Sequence, residues 1–124
     1  MKMLIIVGAA LAFLSVAFGA FGAHVLKEGL GEHYLSIYQT GVSYQMYHSL
    51  GLILIGLLAL TAFRGSAGLL QTAGILMLLG IILFSGSLYV LSMTKTDWLG
   101  AITPFGGLAF LASWVFVIIA IAKG

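Results

Sequence analysis

Long runs of apolar residues alternate along this chain with short polar segments, and the pattern predicts helices that cross a membrane. The four runs cover residues 3–23, 42–63, 68–93 and 98–122. A helix rises about 1.5 Å per residue, so about 20 residues cross a hydrocarbon core of about 30 Å. A backbone in lipid must satisfy its own hydrogen bonds, and the runs lack the alternation of a barrel strand. The pattern therefore predicts an all-α integral membrane protein.

The connections between the runs predict a four-transmembrane-helix antiparallel bundle that forms a single domain over residues 1–124. The links at 64–67 and 94–97 are very short, so each should join antiparallel neighbours. The connection at 24–41 is longer and mixes polar with aromatic residues. It predicts a longer amphipathic first loop that lies at the interface or extends the second helix outward.

Composition narrows the class of protein further. Charged residues make up only 6% of the chain and the mean hydropathy is +1.22, whereas a soluble domain carries about 25% charged residues. The chain has no cysteine, which excludes disulfides and cysteine-based metal sites. Its five basic residues are scattered, so no basic patch is available to hold nucleic acid. We expect no cofactor and no nucleic-acid partner.

The first run shares features with a secretory signal. Lys2 precedes an apolar stretch, and small residues flank Phe21 as they would a cleavage site. The run is longer than the usual signal core of about 7–15 residues. We therefore expect a first helix that is retained.

The charged residues predict the orientation in the membrane. With four crossings, one side carries Lys2, Arg64 and Lys123 and no acidic residue. The remaining charges lie on the other side: Lys27, Lys95, Glu28, Glu32 and Asp97. Basic residues favour the cytoplasm. This distribution predicts that both termini are cytoplasmic.

Polar and small residues from all four runs should meet at one depth. If the runs alternate in direction, these residues fall in the outer half of the membrane. The candidate polar cluster is His48, Gln45, Tyr44, Ser85, Ser87, Tyr89, Thr103 and His24. The candidate packing residues are Gly19, Gly22, Gly86, Pro104, Gly106 and Gly107. Two interpretations are open: close helix packing through small residues and interhelical hydrogen bonds, or a shallow pocket or pathway open to the outer face.

His48 is the strongest single functional candidate. It lies six residues into the second run, about 9 Å along a helix axis, where ionisable residues usually face the bundle interior. On a helix it shares a stripe with Gln45 and Tyr38. One interpretation gives it a proton-relay or pH-sensing role. The other is a neutral imidazole hydrogen-bonded to Ser85, Ser87, Tyr89 or a carbonyl.

Other unusual residues suggest packing rather than chemistry. His24, His33 and His48 do not form a known zinc-ligand pattern, so we assign no metal and no catalytic residue. Pro104 predicts the first turn or a kink of the last helix. Trp114 lies in the middle of its run, which suggests a packing or subunit contact.

Four segments resemble one known family in combination. They are GAFGAH at 19–24, YQMYH at 44–48, FSGSLY at 84–89 and ITPFGG at 102–107. Together they resemble the domain-of-unknown-function 423 family of small bacterial membrane proteins, which is related to the eukaryotic transmembrane protein 256 family. The resemblance implies a multi-pass protein of the bacterial cytoplasmic membrane and implies no activity.

Three functional hypotheses follow from these observations. The first is a non-enzymatic bundle that packs with membrane lipids, with further copies of itself or with other membrane proteins. The second is a small-molecule, ion or proton transporter or channel component, with His48 and the group Ser85, Ser87 and Tyr89 along its path. The third, a membrane-embedded enzyme, ranks last because the chain has no nucleophile–base pair, carboxylate pair or metal signature.

Overall fold

The computed structural model describes residues 1–124, and every regular element in it is helical. The five α-helices are α1 (Lys2–Phe21), α2 (Lys27–Leu60), α3 (Ala67–Gly80), α4 (Gly86–Thr94) and α5 (Thr103–Lys123). Two π-helical turns, Gly22–Leu26 and Ile81–Ser85, connect α1 to α2 and α3 to α4 without interruption. Short 3-10 turns at Arg64–Ser66 and Asp97–Ala101 precede α3 and α5.

The prediction of four separate membrane-spanning helices is wrong. The structure contains three helices that are long and apolar enough to cross a membrane, Lys2–Leu60, Arg64–Thr94 and Asp97–Lys123. The first of them combines the predicted spans 3–23 and 42–63. The segment 24–41 between these spans is helical rather than a loop, and from Lys27 on it is the predicted outward extension of the second helix.

The absence of proline explains why that segment stays helical. Polarity alone does not end a helix, and the only proline of the chain is Pro104. Glycine costs a helix about 1 kcal/mol, whereas proline costs about 3 kcal/mol and removes a donor. Gly29 keeps the helical backbone, and only Gly31 departs from it.

The first helix is sharply bent at Gly31, and its two arms pack side by side. Gly31 has φ 77° and ψ 168°, a positive φ that glycine adopts without steric cost. On either side of this bend, the side chain of Gln45 bonds the carbonyl of Leu11, and Gly56 lies against Ile5. These contacts show that the arms run antiparallel to each other.

The hydrophobic core lies between the bent helix and the other two. Its buried members are Leu52, Ile55, Ala59, Leu70, Ala73, Met77, Ile81, Phe110 and Ala120. Large apolar side chains also cover the outside, including Phe13, Leu54, Ile82 and Ile118. An apolar surface of this extent suits a chain surrounded by lipid.

One polar contact joins the start of α2 to the connection between α4 and α5. The hydroxyl of Tyr34 donates to the Asp97 carboxylate at 2.8 Å, and Lys95 Nζ lies 5.7 Å from the Tyr34 ring centroid. Tyr34, Lys95 and Asp97 all belong to the polar segments between the apolar runs. The contact joins two of the polar segments that carry acidic residues.

Candidate functional site

Gln45 is the centre of the polar cluster and joins three segments. Its side chain is only 2% exposed. Nε2 donates to the carbonyl oxygen of Leu11 at 2.8 Å, and the Tyr89 hydroxyl donates to Oε1 at 2.5 Å. Gln45 therefore ties α1 and α4 to α2 with both ends of one amide group.

Serine side chains on both sides of Gly86 form the next contacts. Ser85 Oγ donates to the carbonyl oxygen of Gly41 at 2.7 Å. The hydroxyls of Ser87 and Thr103 lie 2.6 Å apart and share a hydrogen bond. Ser85 thus binds the π-helical turn Ile81–Ser85 to α2, while Ser87 binds α4 to α5.

The π-helical turn Ile81–Ser85 sets the direction of these side chains. The Gly86 N–H bonds the carbonyl of Ile81, five residues back instead of the four of an α-helix. The wider turn shifts the angular register between α3 and α4. Phe84 consequently lies against Gly106 of α5 while Ser85 reaches α2.

His48 is 5% exposed and has a partner on each ring nitrogen. The indole N–H of Trp114 lies 3.0 Å from Nε2, and Nδ1 lies 2.8 Å from the carbonyl oxygen of Tyr44. An indole nitrogen can only donate, so Nε2 accepts and Nδ1 carries the proton that it donates. This pair of bonds fixes a neutral imidazole. The ring also stacks on Phe110, with centroids 3.6 Å apart.

Most of the predicted polar cluster comes together, and His48 bonds one of its expected partners, a carbonyl. It makes no bond to Ser85, Ser87 or Tyr89, which bond to other groups. His24 is exposed and lies outside the hydrogen-bonded cluster. The structure contains no group of three metal-ligating side chains, so the three histidines do not converge.

The predicted packing glycines fall into three classes by the space beside them. Gly22 lies against the Tyr38 ring and Gly106 against the backbone of Phe84, so neither has room for a side chain. Gly19 has ordinary contact space, since a β-carbon there would lie 3.4 Å from Val42. Two others have open space: a β-carbon on Gly86 would meet nothing within 4 Å, and one on Gly107 would approach only Phe84, at 4.0 Å. The remaining candidate, Pro104, lies in the first turn of α5.

Several partners in the site are not evident from the sequence. The position of Trp114 suggests only a general packing contact, and its indole is the donor to His48. Tyr38 lies in a tyrosine-rich segment typical of a membrane interface, but its buried hydroxyl donates to the Phe18 carbonyl at 2.5 Å. Ser113, which donates to the Ala73 carbonyl at 2.6 Å, has no distinguishing pattern around it. The helical stripe shared by Tyr38, Gln45 and His48 is the available signal for their inward direction.

A groove with a volume of about 620 Å³ opens beside His48. Tyr44 and His48 line it from α2, Phe84 lines it from the π-helical turn, and α5 contributes a face from Pro104 to Trp114. Tyr44 packs on Phe84 with ring centroids 4.5 Å apart. The groove has predominantly apolar walls, and its only ionisable side chains are the neutral His48 and the Tyr44 phenol.

Apolar helices with internally satisfied polar side chains define the class of protein as a helical membrane protein. The chain belongs to the family described as Protein of unknown function (DUF423), whose profile matches residues 18–107. This confirms the resemblance seen in the sequence.

Relatives from bacteria match almost the whole chain. It is 50% identical over 123 residues to the UPF0382 membrane protein YwdK of Bacillus subtilis, covering 99% of this chain and 98% of that protein. A UPF0382 membrane protein of Staphylococcus haemolyticus is 48% identical with the same coverage. One from Staphylococcus saprophyticus is 43% identical, and the match covers 99% of this chain and 99% of that protein. No solved structure matches.

Proposed function

We propose that this chain is a non-enzymatic, multi-pass protein of the bacterial cytoplasmic membrane. It acts through contacts with membrane lipids, further copies of itself or other membrane proteins. The observation that carries the proposal is that no buried side-chain nitrogen or oxygen lacks a hydrogen-bond partner. Polar groups that are fully used between helices hold those helices in one arrangement.

The hydrogen bonds favour this proposal over transport. A polar path would need groups that can exchange partners with a passing ion or solute. His48 uses both ring nitrogens, and Ser85 and Tyr89 bond α2. The groove beside His48 has mainly apolar walls. The alternative of a transporter or channel component therefore has no continuous polar route among the residues that suggested it.

The serine contacts favour a non-enzymatic role. A serine nucleophile needs a neighbouring base that removes its proton. The buried hydroxyls of Ser49, Ser85 and Ser113 instead donate to backbone carbonyls. His48 receives its hydrogen bond from Trp114. None of these serines is bonded to the imidazole.

We expect purified protein in liposomes to conduct no protons. Vesicles loaded with a pH-sensitive dye and placed under a pH gradient should collapse that gradient no faster with the protein than without it. His48→Ala should give the same rate, because the imidazole holds helices together in this proposal. Wild-type conduction that disappears in His48→Ala would establish the transport alternative instead.

The proposed location is the cytoplasmic membrane with both termini inside, which three helices allow if the first one folds back on itself at Gly31. The support is the segregation of Lys2, Arg64 and Lys123 from all the acidic residues. Contacts agree with this grouping: Gly56 lies near the Met1 carbonyl, and Gly124 lies against Phe63. The Asp97 carboxylate instead bonds Tyr34 of the segment 24–41.

A reporter fused after Gly124 tests this orientation. Green fluorescent protein should fluoresce there, and alkaline phosphatase should be inactive, because the first matures in the cytoplasm and the second requires the oxidising exterior. Inserting the same reporters after Lys95 provides the matched control and should reverse both signals. Active phosphatase after Gly124 would contradict the proposed orientation.

A further inference from the structure

The groove beside His48 has the chemistry of a site for an uncharged, apolar group. No Lys, Arg, Asp or Glu lines it. The two hydrogen bonds of His48 leave its imidazole neutral and without a free donor or acceptor. A charged ligand would have no counter-ion there and would lose its solvation.

The dimensions of the groove match half of a membrane. Its α5 wall extends from Pro104 to Trp114, ten residues along the helix, or about 15 Å at 1.5 Å per residue. One leaflet of a hydrocarbon core of about 30 Å is also about 15 Å deep. The volume of about 620 Å³ lies within the range of about 300–1,000 Å³ that is typical of ligand sites.

The groove is continuous with the surface that faces lipid. Leu108 is 62% exposed and Leu111 is 64% exposed, and both form its rim on α5. Phe105 beside them is exposed as well. In a membrane these side chains contact acyl chains, so a chain can enter sideways without crossing a polar barrier.

From this geometry we propose that the groove between α2, Phe84 and α5 binds one acyl chain of a membrane phospholipid. The inference rests on the proposed function and names the membrane partner. Gly107 keeps the site open, because a β-carbon there would meet only Phe84, at 4.0 Å. The aromatic rings of Tyr44, Phe84 and Trp114 contact the chain along its length.

A helix from a second copy fits the groove less well. A helix with its side chains is about 10–12 Å wide, so a length of about 15 Å occupies about 1,200 Å³ or more. A second helix could therefore place only a ridge of its side chains in the groove. A single chain of methylene groups has a much smaller cross-section and can lie between the walls.

Native mass spectrometry of the full chain, purified from bacterial membranes in mild detergent, tests the proposal. Most wild-type molecules should retain one phospholipid per protomer. Gly107→Leu fills the groove and should lower that occupancy at least fivefold. Gly86→Leu is the matched control, since it also has open space, lies outside the groove and should retain lipid like the wild type.

A second measurement avoids detergent and the risk that Gly107→Leu does not fold. In a Trp98→Phe background Trp114 is the only tryptophan, and phosphatidylcholine vesicles with brominated acyl chains should quench its fluorescence. Leu111→Phe is a second groove-filling variant, and it adds no further tryptophan. Quenching should fall about twofold in either groove variant and stay unchanged in Gly86→Leu.

Several results would overturn the acyl-chain site. One is a wild-type protein that retains no phospholipid and whose Trp114 is quenched no more than in the groove variants. The second is a pair of groove variants that behave like Gly86→Leu. The third is a wild-type dimer that Gly107→Leu dissociates. The last result would assign the groove to a second copy. None of them requires proton conduction, so the liposome assay separates failure of this site from failure of the proposed function.

Discussion

Gly106→Ala should destabilise the protein by about 2–3 kcal/mol, the upper range for overpacking a tight interface. The added β-carbon would lie 2.7 Å from Cβ and 2.8 Å from Cα of Phe84. The obstacle is mainly backbone, which cannot rotate away as the end of a long side chain can. The helix α5 would have to move from the π-helical turn Ile81–Ser85. Unfolding in mixed micelles of dodecyl sulfate and dodecyl maltoside, followed by circular dichroism, measures the change.

Gly107→Ala is the matched control on the next residue. Its β-carbon would be in ordinary contact at 4.0 Å. Alanine is a better helix former than glycine by up to about 1 kcal/mol, so this variant should be as stable as the wild type or slightly more stable. Equal losses in Gly106→Ala and Gly107→Ala would contradict the close approach of α5 to Phe84.

The membrane class of this protein could be predicted from its sequence because hydrophobic runs have a direct physical consequence. A run of about 20 apolar residues in lipid must form a helix. The error in helix number has an equally local cause. The segment 24–41 is polar enough to resemble a loop, but polarity does not break backbone hydrogen bonds. The sequence offers Gly29 and Gly31 as breaks in this segment, and the backbone angles show that the bend falls at Gly31.

The partners of individual polar residues were harder to predict. Gln45 and His48 share a helical stripe, and this placed both on an inward face. Which group each one meets depends on the rotation of the opposing helices. The π-helical turn Ile81–Ser85 changes that rotation through an i to i−5 hydrogen bond. No residue type in this turn indicates the change from the sequence. Trp114, 66 residues from His48, could not be paired with it by spacing.

The glycines show the same limit from another direction. Gly106 and Gly107 are adjacent in the sequence and belong to the same motif. Only the structure shows that one faces the backbone of Phe84 and the other faces an open groove. A small residue in a membrane helix can therefore mark close packing or leave space for another molecule.

Gln45→Leu should destabilise the protein by about 1–3 kcal/mol, because it leaves the hydroxyl of the half-buried Tyr89 without its acceptor. Leucine retains much of the glutamine volume, so the lost hydrogen bonds dominate over the effect of a cavity. Tyr89→Phe should cost about 1–2 kcal/mol by leaving Oε1 of Gln45 unpaired. Unfolding in mixed micelles gives both values. Tyr47→Phe is the control: this ring is 59% exposed, and the expected change is within about 0.5 kcal/mol.

The double variant separates a structural contact from two independent effects. Once Gln45→Leu has removed the acceptor, Tyr89→Phe removes a hydroxyl that has already lost its partner, so the second change should cost little or restore stability. The coupling energy should be about 0.6–1.7 kcal/mol, the range for interhelical bonds in membranes. Strictly additive losses would show that the bond between α2 and α4 contributes nothing. In that case the buried Gln45 amide would not serve to hold the helices together. The proposal of a protein that does not transport would then lose the contact on which it depends most.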